Sequence, residues 1–318
     1  MEETAASKPL KPNPRRRSHA LLTTRDKVQL VAMSSPAIVI YTAFLVIPIF
    51  IALYFSFHSW NGIKGAPLEY VGWQNFARAF ASPLFQTSMK NLALMVTVSV
   101  LFHTPIALVL AAVLNTKVRG KRFFKMIYFV PTIFPLIATG LLWYFIFMPT
   151  GALNTTLTNL GLGSWARGWL VDSGTAMPTI IFVNIWAGIG YYMIILLAGL
   201  KNIPEDVYEA ARIDGASAVQ IFFRVTVPIM RPTILLCLVL DIIGTIKVFD
   251  LVFVMTGGGP NGLTNLPTTL VYYEAFRYDN YGLGSAVGVI LLVLAMTLTL
   301  LTQYVPKWIA RKRVKTHA

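Results

Sequence analysis

Pro204-Glu205-Asp206-Val207-Tyr208-Glu209-Ala210-Ala211-Arg212-Ile213-Asp214-Gly215-Ala216-Ser217 is a polar stretch set between two long apolar runs. Its local chemistry predicts two short helices joined by a sharp turn. Pro204 suits a first helical position, and Glu205 and Asp206 follow where the helix dipole favours anions. Gly215 can take the left-handed conformation that ends such a helix without a Cβ penalty. Ser217 and Gln220 make a capping-box pair that starts the next helix, which runs on into Val225-Thr226-Val227-Pro228. Placed at a membrane surface, this helix–turn–helix is a shape that docks into a partner's groove. The plainer reading is an amphipathic interfacial helix with no partner.

Moving outward, the rest of the chain is apolar. Of its 318 residues 56% are hydrophobic and 13% charged, with a mean hydropathy of +0.64. Soluble domains carry about 25% charged residues, so the bilayer is the main solvent here. Six apolar runs stand out, at 31–57, 92–114, 126–148, 177–200, 229–255 and 283–305. Each reaches the roughly 20 residues that cross a hydrocarbon core as a helix. Backbone satisfaction in lipid leaves helices or closed barrels, and runs of this length exclude strands. The expected fold is an all-α membrane protein with six transmembrane helices. The first run follows a long basic tail and exceeds the length of a cleavable signal peptide, so it reads as a retained helix. Residues 1–30 are expected to be a disordered basic tail, 31–306 the membrane domain with its loop at 201–228, and 307–318 a second basic tail.

The net charge of +14 does not point to nucleic acid, because its distribution is one-sided. Basic residues crowd the N-terminal tail (Lys8, Lys11, Arg15, Arg16, Arg17, Arg25, Lys27) and the loop holding Lys117, Arg119, Lys121, Arg122 and Lys125. They recur at Lys201, Arg212, Arg224 and Arg231, and again at Lys307, Arg311, Lys312, Arg313 and Lys315. The opposite loops hold Lys64, Arg78, Lys90, Arg167 and Arg277, and Lys247 lies within a run. The positive-inside rule therefore puts both termini and the Pro204 loop in the cytoplasm.

Several chemistries are absent. No Gly-x-x-x-x-Gly-Lys-Ser/Thr occurs, and Gly257-Gly258-Gly259-Pro260 lacks the Lys and hydroxyl of a phosphate cradle. His19, His58, His103 and His317 are scattered, Gly282-Leu283-Gly284-Ser285 misses the spacing of a nucleophile elbow, and no metal-ligand spacing appears. Cys237, the one cysteine, lies in an apolar run and reads as packing. No catalytic residue and no metal are expected, so active transport would draw its energy from another chain or from an ion gradient.

Glu209-Ala210-Ala211, with Gly215 and Pro228 beyond it, resembles the EAA loop of bacterial ABC-importer permeases. Ile213-Asp214-Gly215-Ala216-Ser217 is similar to the carbohydrate-importer branch of that family. So are Ser56-Phe57-His58-Ser59-Trp60-Asn61-Gly62, Val71-Gly72-Trp73-Gln74-Asn75-Phe76 and Phe249-Asp250 through Thr256-Gly257-Gly258-Gly259-Pro260. Leu270-Val271-Tyr272-Tyr273-Glu274-Ala275-Phe276 looks like the maltose-transporter first-permease type. Val225 and Val227 stand where the family more often has Ile and Leu. The resemblance implies a type I importer permease fold in a bacterial cytoplasmic membrane. It implies a second homologous permease, two cytoplasmic ATPase subunits that bind ATP and Mg, and an extracytoplasmic sugar-binding protein. Glu209, Ala210, Ala211, Asp214, Gly215 and Pro228 would then form the ATPase-coupling element, with Glu209 orienting the helix, Gly215 permitting its turn and Pro228 starting the next span.

Polar residues inside the runs are the candidates for touching cargo, since lipid exposure is costly. Lys247 and Asp250 are three apart, hence neighbours on one helix face, and are expected to pair. Asp241 points elsewhere and needs another partner or a water-filled cavity. These three either line a pathway or lock helices together. Asn184, Trp186, Tyr191 and Tyr192 suit a carbohydrate, as aromatic faces stack on sugar rings and amides bind hydroxyls; Trp and Tyr also pack at bilayer interfaces. Pro105, Pro131 and Pro135 are expected to kink their helices, and Gly188, Gly190 and Gly199 to permit close helix approach. A rival reading is an ion-coupled secondary transporter with Asp241, Lys247 and Asp250 as its relay. The absence of an evident inverted repeat argues against it.

Overall fold

A computed structural model describes residues 24–116 and 118–316; the tail residues from Lys8 to Arg17, His19, Lys117 and His317 lie outside them. The chain divides into two compact units, 1–51 and 52–318. The first contains α1 (Thr24–Tyr41), a π-helical turn (Thr42–Val46) and the start of α2 (Ile47–Ser56). Residues 24–30 are therefore helical where a disordered tail is expected, and the good helix propensities of Arg, Lys, Gln and Leu account for it.

The second unit opens with a short antiparallel pair, β1 (His58–Ser59) and β2 (Glu69–Tyr70). There follow α3 (Gln74–Ala81), α4 (Pro83–Asn115), α5 (Lys121–Ile133), α6 (Leu136–Phe147) and α7 (Ala152–Asn159). Next come α8 (Ala176–Leu200), α9 (Glu205–Ile213), α10 (Ala218–Ile221) and, after a π-helical turn (Phe222–Thr226), α11 (Val227–Ile246). The unit closes with α12 (Asp250–Met255), α13 (Pro267–Phe276) and α14 (Tyr281–Thr316). Among the described residues, six helical stretches are long and apolar enough to cross a membrane: Val28–Ser56, Pro83–Asn115, Leu136–Asn159, Ala176–Leu200, Ala218–Ile246 and Tyr281–Tyr304.

Two of the expected spans are broken. The run at 126–148 divides between α5 and α6, because Pro135 disfavours the helical conformation at Phe134, whose ψ is 140°. The run at 229–255 divides at Lys247, where α11 ends and α12 restarts at Asp250. Pro105, by contrast, sits inside the unbroken α4. Pro228 does not start its span. It follows a π-turn in a helical stretch that already begins at Ala218, and Pro48 follows the π-turn of the first unit in the same way. Widening the helix before a proline makes room for the ring and absorbs the missing N–H.

α8 is the central helix, packing against α4, α5 and α11. Small residues set the distances. A Cβ at Gly190 would strike the Tyr128 backbone of α5, and one at Gly199 would come within 2.8 Å of Met230 on α11. Without a hydrophobic drive between helices in lipid, this close van der Waals packing is what holds them. One buried cluster joins Met95, Ile180, Leu251 and Met255. A second joins Ala111, Leu196, Met230 and Cys237, so the lone cysteine is core. Between the two clusters, at the same level of α4, α8 and α11, lies a layer of polar side chains.

Candidate functional site

The polar layer is built from one or two positions on each helix. α4 supplies Ser99 and His103, four apart and so on one face, α8 supplies Asn184, and α11 supplies Asp241 and Thr245, again four apart. All five are buried. His103 Nδ1 lies 2.8 Å from Asp241 Oδ1, and its Nε2 lies 3.2 Å from the Asn184 carbonyl oxygen. Thr245 Oγ1 donates to Asp241 Oδ1 at 3.4 Å, and Asn184 Nδ2 donates to Ser99 Oγ at 3.2 Å. Gly188 makes room for the imidazole, since a Cβ there would stand 2.7 Å from Nε2.

This geometry fixes the proton count of the pair. A carbonyl only accepts, so Nε2 carries a proton, and a second proton lies between Nδ1 and Oδ1. Whether the second belongs to the imidazole or to the carboxyl, the pair is neutral as a whole. That neutrality makes its burial tolerable, because a lone ion in a bilayer core is expensive. A cavity of ≈ 240 Å³ opens beside it, lined among others by His103, Asn184, Tyr191, Tyr192, Asp241 and Thr245. Its far wall is the break between α5 and α6, where Thr132, Phe134 and Leu136 face it and Thr132 Oγ1 donates to the Ala187 carbonyl at 3.0 Å.

The fold thus gathers four of the sequence-derived candidates, Asn184, Tyr191, Tyr192 and Asp241, and separates the other three. Trp186 lies on another face of α8, packed edge-on against Trp143 with ring centroids 5.2 Å apart, in an apolar recess with Met126 and Val130. Lys247 and Asp250 do not pair. The helix ends between them, so their spacing no longer puts them on one face; Lys247 is exposed, and the freed Val248 carbonyl accepts from Thr268 Oγ1 at 2.6 Å. Among the described residues the ion pair is His103–Asp241. No relay through Asp241, Lys247 and Asp250 forms, which removes the geometry that an ion-coupled mechanism needs. His103, Ser99 and Thr245 escape the reading of the sequence. An ionisable residue inside an apolar run is the signal that could have found His103.

A second concavity, of ≈ 670 Å³, lies at the loop after α12, between the Gly257–Gly258–Gly259 backbone and Tyr272, Tyr273, Arg277 and Tyr278. Tyr273 donates its hydroxyl proton to the Gly257 carbonyl at 2.8 Å. At the other end, α9 carries the expected helix–turn. Pro204 is its N-cap, one residue before the position expected, and Glu205 and Asp206 fill the first turn. Gly215 has φ +74°, and the N–H groups of Gly215 and Ala216 donate to Arg212 O and Ala211 O, closing a left-handed cap. The Ser217–Gln220 capping box is present, at 3.3 and 2.8 Å. Val207 and Tyr208 pack against the cluster around Leu196 and Met230, while Ile213 is 85% exposed. Partial desolvation and the nearby charges of Lys201 and Lys121 lower the Lys125 pKa, so these two basic loops share one end of the bundle.

The family described as binding-protein-dependent transport system inner membrane component matches residues 103–312. The chain is 34% identical over 283 residues to the probable ABC transporter permease protein YurN of Bacillus subtilis, covering 88% of this chain and 96% of that one. It is 30% identical over 270 residues to the trehalose/maltose transport system permease protein MalF of Thermococcus litoralis, covering 84% and 90%. A solved bacterial ABC transporter that imports the acidic polysaccharide alginate has a chain matching with a TM-score of 0.78 and 25% identity, over 90% of this chain and 97% of that chain. The alginate transporter has also been solved in complex with an alginate-pentasaccharide-bound periplasmic protein, its chain matching at 26% identity with a TM-score of 0.77 over 90% and 96%.

Proposed function

The chain belongs to the family of binding-protein-dependent transport system inner membrane components, and from that premise we propose that it is the permease subunit of an ATP-driven carbohydrate importer, with the Asn184–Asp241 cavity as its contact with cargo. The observation that carries the cavity assignment is a buried polar layer, open to a cavity, in the middle of an otherwise apolar bundle. Such groups are costly in a membrane core unless they are used. The import of trehalose/maltose and of alginate by its relatives supports a carbohydrate cargo.

The chain encloses half of the pathway, and a second, homologous permease encloses the other half. Two ATPase subunits hold ATP and Mg and do the hydrolysis, and a periplasmic protein delivers the sugar. The exposed end of α9 meets the ATPase. The loop bearing α9 joins α8 to α11, the two helices that carry Asn184 and Asp241. Displacing α9 as a rigid lever therefore reaches the cavity through the packed cluster at Leu196, Leu200 and Met230. The broken α5–α6 wall is the element that yields.

Purification from the native membrane with mild detergent, followed by mass spectrometry, tests the assembly: recovery of a second six-span permease and an ATPase is expected. Recovery of this chain alone, active in liposomes without ATP, would overturn the proposal. For the cavity, Asn184→Ala is expected to raise the KM for uptake about tenfold, the loss of one to two hydrogen bonds.

A further inference from the structure

Three buried side-chain polar atoms among the described residues lack a hydrogen-bond partner: Thr104 Oγ1, Trp143 Nε1 and Asp241 Oδ2. Only one of the three residues, Asp241, lines the cavity. Its Oδ1 is engaged by His103 and Thr245, the Tyr192 hydroxyl lies close to the carboxylate, and Oδ2 itself has no hydrogen-bond partner among the described residues. Asp241 is 1% exposed, so Oδ2 cannot turn to bulk solvent.

Oδ2 is an acceptor in either protonation arrangement of the pair. If His103 carries both protons, Oδ2 belongs to a carboxylate. If the shared proton sits on Oδ1, Oδ2 is the carbonyl oxygen of the acid. A buried acceptor without a partner is stabilised by a donor, and sugars offer hydroxyls or ammonium groups as donors. The charge balance of the cavity points the same way. Among its lining residues Asp241 is the sole carboxylate, no Lys or Arg contributes, and both ring nitrogens of His103 are already engaged, by Asp241 and by Asn184 O. An anionic sugar would meet an acceptor oxygen with no counter-charge.

We propose that Asp241 is the specificity-determining residue of this cavity: its Oδ2 accepts a hydrogen bond from a hydroxyl or ammonium group of the cargo, and sugars bearing a carboxylate, sulfonate or phosphate on the ring facing this chain are rejected. This rests on the cavity being the cargo contact, and it separates the chain from its structural relative that imports acidic alginate. Rejection of acidic groups is thereby assigned to α11, independently of what the periplasmic protein delivers.

The test uses the intact importer, with its co-purifying subunits and periplasmic protein, in proteoliposomes. It is offered a pool of neutral, amino and uronic oligosaccharides plus sugar phosphates, and the imported fraction is identified by mass spectrometry. Neutral or amino sugars are expected inside and acidic ones outside by at least tenfold. Asp241→Asn turns the group facing the cavity from an obligate acceptor into one that can also donate. It is expected to raise the KM of the imported sugar about tenfold, leave kcat within a few-fold, and shrink the discrimination against uronic sugars. An acidic sugar imported by the wild type would overturn the proposal, and this arm stands even if the variant fails to assemble. Asn184→Ala raising KM while Asp241→Asn changes neither KM nor the neutral-to-acidic ratio would overturn the role of Asp241 alone. No effect of Asn184→Ala, Tyr191→Ala or Asp241→Asn on KM would remove the cavity reading beneath it, and with it the proposal.

Discussion

His103 and Asp241 stand 138 residues apart in sequence and 2.8 Å apart in the bundle, and neither is tolerable there alone. Removing one partner of a buried pair leaves an uncompensated polar group, at a cost of about 3–5 kcal/mol, whereas replacing both with apolar residues is often neutral. His103→Leu is therefore expected to lower the thermal stability of the detergent-purified complex markedly, and His103→Leu with Asp241→Leu to recover most of it. Equal losses in the single and double variants would show that the pairing is not what the layer depends on. Asp241 was legible in the sequence as a carboxylate inside an apolar run. His103 has the same signature, but sequence spacing relates it to no partner, because Asp241 lies on a helix that only folding brings near. Trp186 carries the converse lesson: two positions from Asn184, it lies about 200° around the helix, so proximity in sequence put it on the wrong face.

Among the elements, α9 and its turn were the most fully legible, because capping is local chemistry. Gly215 has open space around it, with nothing within 4 Å of a built Cβ, so its φ of +74° alone constrains the residue. Gly215→Val is expected to cost about 1–2 kcal/mol at the turn and to re-aim α9. ATP hydrolysis should persist while uptake falls, and Gly215→Asn should retain both, since Asn tolerates the left-handed region. Wild-type uptake in the valine variant would remove the lever from the mechanism. The break at Pro135 makes the complementary case. Pro135→Ala would let α5 and α6 join across Phe134, filling the wall of the cavity. A raised melting temperature with a slowed transport rate is the expected result; an unchanged rate would show that the break is not the moving part. The interruption at Lys247 was not legible. Its flanking residues read as a continuous apolar helix, and what ends it is a tertiary contact, Thr268 bonding the Val248 carbonyl.

For the whole molecule, the charge bias of the sequence is the ground for expecting both termini and the 201–228 loop on one face, and the proximity of Lys121 and Lys125 to Lys201 supports a common end for the start of α5 and the 201–228 loop. With the buried Cys237 replaced by Ser, single cysteines at Ala216 and at Asn261 are expected to react with impermeant maleimide from opposite sides of right-side-out and inverted vesicles. Labelling of both from one side would refute the topology. By itself the sequence determined the bilayer as solvent, the count of spans, and the capped helix between the fourth and fifth, because hydropathy, charge bias and capping act over a few residues to a few turns. Only the tertiary structure decided which polar residues share the cavity, which pair, and where the third and fifth spans break. Those outcomes depend on the level at which α4, α8 and α11 cross, and that level is set by packing at Gly188, Gly190 and Gly199 between residues far apart in the chain.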